Sequence, residues 1–187
     1  TGVQTCALPI SAAVLDATTS LNSTTNDIPL AGGTQDVSAN GSGIYDFNDK
    51  DGNGTTGDAV TPAGLSMGAA VLTTDDGTDI LLDLNGGDIS GDSGVTALDT
   101  QVLVFGSTTK AGDVAITNVG EIAMGGIQTS QTGKGQTGAV DIGTVGARAG
   151  NVRADFINTS QFALSNNNSG VTGGITVYSS GNVLIQT

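Results

Sequence analysis

The chain has 187 residues, of which 18 are acidic and 5 basic, for a net charge of −13, with 30 Gly, an aromatic content of 3% and neither Trp nor His. A field of that sign repels nucleic acid and anionic membrane, and so little aromatic bulk argues against a conventional globular core. The hydrophobic residues, 37% of the chain, are mostly Val, Ile, Leu and Ala in short runs. Such runs suit strands rather than amphipathic helices, and none approaches the roughly 18–20 residues that a membrane-spanning helix needs. The acids are dispersed, as on an exported protein kept soluble by its own charge.

The first ten residues, TGVQTCALPI, resemble a translated short-read sequencing adapter, so residues 1–11 are set aside as non-native before any fold reasoning. The only cysteine, Cys6, goes with them, which removes disulfide chemistry. The remainder reads as an internal, metagenomic fragment of a longer protein, and it closes on SGNVLIQT, mid-strand by its pattern.

Residues 12–66 form a polar segment of Ser, Thr, Asn, Asp and Gly punctuated by Pro29 and Pro62, with Ile28 to Leu30 and Ile44 to Phe47 as its few buriable runs. A loose coil, an insertion and a partly disordered linker all fit this composition. Within it, Asp49-Lys50-Asp51-Gly52-Asn53-Gly54 resembles the first half of an EF-hand-like calcium loop, with oxygen ligands at alternate positions and Gly at the sharp turn. The candidate Ca2+ ligands are Asp49, Asp51, Asn53 and Asp58. Val60 stands where that loop needs a bidentate Glu, and an Asx-rich turn capping its own backbone fits the same residues. Asp75, Asp76 and Asp79 in TTDDGTD admit the same two readings, with a turn preferred.

From Met67 onward, short apolar runs bounded by Gly, Asn, Asp or Ser predict strands: GAAVL, DILLDL, VTALDTQVLVF, DVAI, EIAM, AVDI, NVRADFI, FAL, ITVY and NVLI. No helical pattern separates them. Val114 after Gly-Asp, Val140 after Gly-Ala and Ile175 after Gly-Gly occupy similar settings, and the intervals from Val114 to Val140 and from Val152, after Gly-Asn, to Ile175 fit one β-helix coil. IQTSQ from Ile127 and INTSQ from Ile157 repeat the same order of residues. A single coil of this kind cannot bury its apolar face, whereas stacked coils share one continuous core. The fold expected is therefore all-β: a parallel β-helix, or β-solenoid, of several coils over residues 67–187. Its unpaired strand edges are expected near Met67 and at Asn182 to Thr187.

At these residues the chain resembles the β-helical repeats of bacterial large exoproteins, both the filamentous-haemagglutinin-like kind and the autotransporter-passenger-like kind. The resemblance implies a right-handed parallel β-helix, secretion to the outer surface of a Gram-negative cell, and attachment to host or environmental surfaces or glycans. On that reading the segment is a stalk or adhesive scaffold without chemistry of its own, partnered by neighbouring coils of its own full-length chain. No catalytic residue and no cofactor other than Ca2+ is assigned. The alternative is a carbohydrate-active β-helix of the polysaccharide lyase or glycosidase kind, for which Asp76, Asp79 and Asp83 are the available carboxylates. Fold alone does not carry that activity.

Overall fold

The computed structural model describes residues 28–29, 33–36, 44–46, 65–74, 77, 79–84, 86–161 and 172–186. Asp49, Asp51, Asn53 and Asp58, with Asp75, Asp76 and the FAL run, lie outside the described residues. Among the described residues there is no helix, so none is long and apolar enough to cross a bilayer.

The chain winds as a parallel β-solenoid, each turn laying one strand on each of three sheets. The first turn contributes β1 (Ile28–Pro29), β2 (Gly33–Asp36) and β3 (Ile44–Asp46), and the second β4 (Leu65–Gly68), β5 (Ala70–Thr73) and β6 (Ile80–Asp83). Next come β7 (Ile89–Gly91), β8 (Thr96–Asp99), β9 (Val102–Ser107) and β10 (Val114–Thr117), followed by β11 (Ile122–Met124), β12 (Gly126–Gln128), β13 (Gln131–Gly133) and β14 (Val140–Ile142). Then β15 (Val152–Ala154), β16 (Ile157–Asn158) and β17 (Ile175–Val177) complete a turn, and β18 (Val183–Ile185) lies on β15. The first sheet runs β1-β4-β7-β11-β15-β18, the second β2-β5-β8-β12-β16 and the third β3-β6-β10-β14-β17, with β9 and β13 forming a small fourth.

Alternation decides what enters the core. In β5, β6 and β10 every second side chain is buried, and in β11, β14 and β15 the flanking residues are buried around an exposed centre. Register then stacks like on like. Leu65, Ile89, Ile122, Val152 and Val183 form one inward column, and Ile80, Val114, Val140 and Ile175 another. Such columns let small β-branched side chains fill a narrow interior at close to crystalline density.

The IQTSQ and INTSQ repeat is a vertical match. Ile127 lies on Ile157, Gln128 on Asn158 and Gln131 on Gln161. Its threonine turns inward. Thr129 is fully buried and donates its hydroxyl to Gly138 O at 2.8 Å, while Gly138 N returns a bond to Thr129 O at 3.0 Å. Thr100, also fully buried, does the same one turn earlier by donating to Gly112 O at 2.5 Å. These inward hydroxyls satisfy carbonyls of the segment returning to the third sheet, which a Val would leave unpaired.

Several expectations are corrected. Val114, Val140 and Ile175, which share a setting, do stack in one column, but the interval from Val152 to Ile175 is not a coil repeat, since Val152 carries Val183. Val152 and Ile175 sit on different sheets, and their similar settings reflect only that both follow a corner. The length of a turn varies because the connecting loops vary, so no fixed interval describes it. VTALDTQVLVF breaks at Thr100-Gln101 into β8 and β9, and NVRADFI breaks into β15 and β16. Near Met67 there is no free edge, since β4 pairs with β1 on one side and with β7 on the other. The edge at the other end is present: β16, β17 and β18 each end their sheets, and Ile175 and Val183 are 46% and 48% exposed, against full burial of Val140 and Val152 beneath them.

Candidate functional site

The acidic residues explain themselves first, because most of those described are committed to holding one turn to the next. Asp79 Oδ1 accepts the amide of Asp113 at 2.7 Å, and Asp113 Oδ1 accepts the amide of Ala139 at 2.7 Å while pairing with Lys110 Nζ at 2.7 Å. At the next corner Asp88 accepts the amide of Glu121 at 2.7 Å, Glu121 accepts Asn151 Nδ2 at 2.8 Å, and Asn151 Oδ1 accepts the amide of Asn182 at 3.0 Å. Asp83 accepts Asn118 Nδ2, whose residue adopts the left-handed backbone with φ of 47°. The bonds from the amides of Asp113, Ala139, Glu121 and Asn182 each join one turn to the next at the corner entering a strand, where an amide would otherwise lack a partner. The bond between Asp83 and Asn118 joins turns where the strands end.

Asp155 makes the longest-range clamp. It accepts Gly94 N at 2.6 Å and Ser93 Oγ at 2.7 Å, with Arg153 at 3.7 Å. The Gly94 amide and then the Ser93 hydroxyl hold its carboxyl below the usual range, with the Arg153 charge adding to them. Asp99 goes the other way. Burial pushes its carboxyl up, and the amide of Gln101, 2.9 Å away, offsets part of that rise. Among the described residues no three His, Cys, Asp or Glu side chains converge as a metal site.

What these clamps leave over is a groove of about 650 Å³ on the outer face of the third sheet. The outward columns there are Ala115, Asp141 and Thr176, and beside them Thr117, Gly143 and Tyr178. Gly143 lies between Thr117 and Tyr178 in this column, with a φ of +70°, and a Cβ there would run into Tyr178 O, so only glycine lets the backbone of the next turn close over this position. The corner after Gly143 forms one wall. Thr144 N donates to Ala147 O at 2.9 Å and Ala147 N donates to Thr144 Oγ1 at 3.0 Å, which folds the loop back and leaves Val145 72% exposed. Tyr178 is fixed through its backbone from both sides, its amide donating to Ile142 O at 2.8 Å and its carbonyl accepting from Ala149 N at 2.9 Å.

Asp141 is exposed, and neither its carboxylate nor the Tyr178 hydroxyl is hydrogen-bonded to the described residues. Sequence reasoning did not single out Asp141, Gly143 or Tyr178. The alternation in ITVY places Tyr178 on the outer face with Thr176, but its alignment above Gly143 depends on register across loops of unequal length. Of the carboxylates considered from sequence for carbohydrate chemistry, Asp79 and Asp83 are engaged as clamps and Asp76 lies outside the described residues.

Compared with known proteins, the chain has no significant match to any family model, curated protein or solved structure. The class of protein is defined by the fold itself: a parallel β-solenoid.

Proposed function

We propose that this chain is a structural and adhesive segment of a secreted or surface-displayed bacterial exoprotein, a stalk or scaffold that holds binding surfaces away from the cell. The observation that carries this reading is the unbroken stacking of inward Ile, Leu and Val columns, with the described acidic residues largely spent on bonds between turns. A stack of that kind gains length by adding turns, each held by its neighbours alone. The dispersed negative charge supports export as a soluble surface.

A carbohydrate-active enzyme of the hydrolytic kind needs two carboxylates facing the scissile bond. The groove on the third sheet is lined by one, Asp141. Beads coated with the purified chain and held under flow over glycan, protein and plastic surfaces test the adhesive reading. Retention above that of albumin-coated beads is expected, and retention equal to albumin would end it. Release of new reducing ends from polysaccharide by the same preparation would replace it with the enzymatic reading.

Calcium at Asp49, Asp51, Asn53 and Asp58 belongs to the same proposal as a stabiliser of an exported loop. Titration calorimetry decides it. A calcium loop of the extracellular kind saturates at about 0.1–1 mM, whereas an Asx turn gives no heat.

A further inference from the structure

We infer that the groove between Thr117 and Tyr178 binds a neutral oligosaccharide, with the Tyr178 ring as its stacking platform and the Asp141 carboxylate as its hydrogen-bond acceptor. This deepens the adhesive reading and rests on it.

The shape comes from three successive turns. Thr117 belongs to β10, Asp141 to β14, and Tyr178 follows β17, so the groove crosses about 10 Å of the stack at the usual strand spacing. That suits an extended ligand lying along the solenoid better than a compact one held in a closed cavity. Its lining divides in the way a pyranose ring divides. The C–H face of the ring needs a flat, apolar, polarisable wall, which Tyr178 offers, and the exposed Val145 continues that apolar surface. The ring hydroxyls need acceptors and donors at the edges, and Asp141, Thr117 and Thr144 supply them.

Charge selects among saccharides. No Lys or Arg lines the groove, its one ionisable acid is Asp141, and the chain carries a net charge of −13. A uronate, sialylated or sulfated ligand would meet repulsion with no compensating cation. The partly buried Tyr178 and a wall already fixed by its own hydrogen bonds leave little ordering to be done on binding. A Phe side chain from a protein partner would stack on Tyr178 as well, but it brings no donor and would leave the Asp141 carboxylate desolvated.

The test is an NMR titration of the isotopically labelled 187-residue chain with three probes: cellotetraose, maltotetraose and tetragalacturonate. Saturable amide shifts at Asp141, Thr144, Thr176 and Tyr178 with at least one neutral tetraose, and none with tetragalacturonate, are the expected result. Tyr178→Ala should weaken binding about tenfold, Tyr178→Phe should retain most of it, and Asp141→Ala should weaken it by a similar factor. Because both side chains face outward, unchanged melting curves for the variants would show that the fold is kept. The inference falls if neither neutral tetraose shifts these amides at about 10 mM, if tetragalacturonate binds as well as they do, or if Tyr178→Ala binds normally. Shifts at the same amides with a Trp-containing peptide, and none with the tetraoses, would make the groove a protein-docking site and also end the inference. Beads that hold to protein or plastic while the tetraoses give no shifts would sink the saccharide site and leave the adhesive scaffold standing.

Discussion

Replacing Thr129 with Val offers the sharpest check on how the turns are held together. On an exposed strand, Thr→Val is close to neutral, since both are β-branched and favour extended backbone. At Thr129 the side chain is fully buried and its hydroxyl donates to Gly138 O at 2.8 Å. Val fills the same volume but leaves that carbonyl unpaired in the interior, which costs about 1–3 kcal/mol, while the extra methyl returns up to about 0.8 kcal/mol. A net loss of about 1–2 kcal/mol is expected. In a chain of this size that lowers the melting temperature by about 2–8 °C, and it shifts the urea midpoint by roughly 0.5–1 M. The comparison is Thr176→Val, on the outer face of β17, where the change should be within about 0.5 kcal/mol. Urea unfolding followed by circular dichroism reads both. A Thr129→Val chain as stable as the parent, or no less stable than Thr176→Val, would refute the role given to the inward hydroxyl.

Gly91 sits between two methionines in the first sheet, and a Cβ added there would meet Met67 Cβ at 3.5 Å and Met124 Cβ at 3.6 Å, ordinary contact distances. Gly91→Ala should therefore raise stability by about 1 kcal/mol, through added burial and a less flexible unfolded chain; a lowered urea midpoint would count against the packing described. The Asp155 pKa is depressed in the folded state, so its contribution is present above the unfolded carboxylate pKa and is lost as pH falls through the folded value. Asp155→Asn should destabilise at neutral pH, with the difference closing in strong acid. For Asp99 the sign reverses, because a raised folded pKa favours folding most below the unfolded value and loses that advantage as pH rises. Asp99→Asn should be at least as stable as the parent at pH 7, and thermal melts across the acid range test both carboxylates. Finally, the open strands β16 to β18 and the exposed Ile175 and Val183 should make the 187-residue chain self-associate with rising concentration. Replacing both by Lys should suppress this in sedimentation velocity, and a parent chain that stays monomeric would remove that end as the cause.

The stacking of IQTSQ on INTSQ could be read from the sequence because both the residue order and the alternation repeat, and Ile127 does lie on Ile157. The column of Val114, Val140 and Ile175 was legible from their shared glycine-containing corners. What misled was spacing. Val152 and Ile175 follow similar corners, but the corners open different sheets, and only hydrogen-bond register shows which. The strand Ile89–Gly91 passed unnoticed because its single large apolar residue carries no periodicity, although Ile89 is buried between Leu65 and Ile122.

By itself, the sequence determined the class of structure. Short alternating runs of Val, Ile and Leu, abundant glycine and scarce aromatics leave no route to a core except strands stacked on strands, since no single run has enough apolar surface to bury alone. Tertiary structure alone decided which side chains share a column and therefore where chemistry can occur. Asp79, Asp88 and Asp113 became clamps because the next turn places an amide against each. Asp141 and Tyr178 came to line one groove because loops of unequal length still deliver β14 and β17 in register. Side-chain alternation is local and can be read along a chain, whereas vertical register is set by backbone hydrogen bonds between residues far apart in sequence.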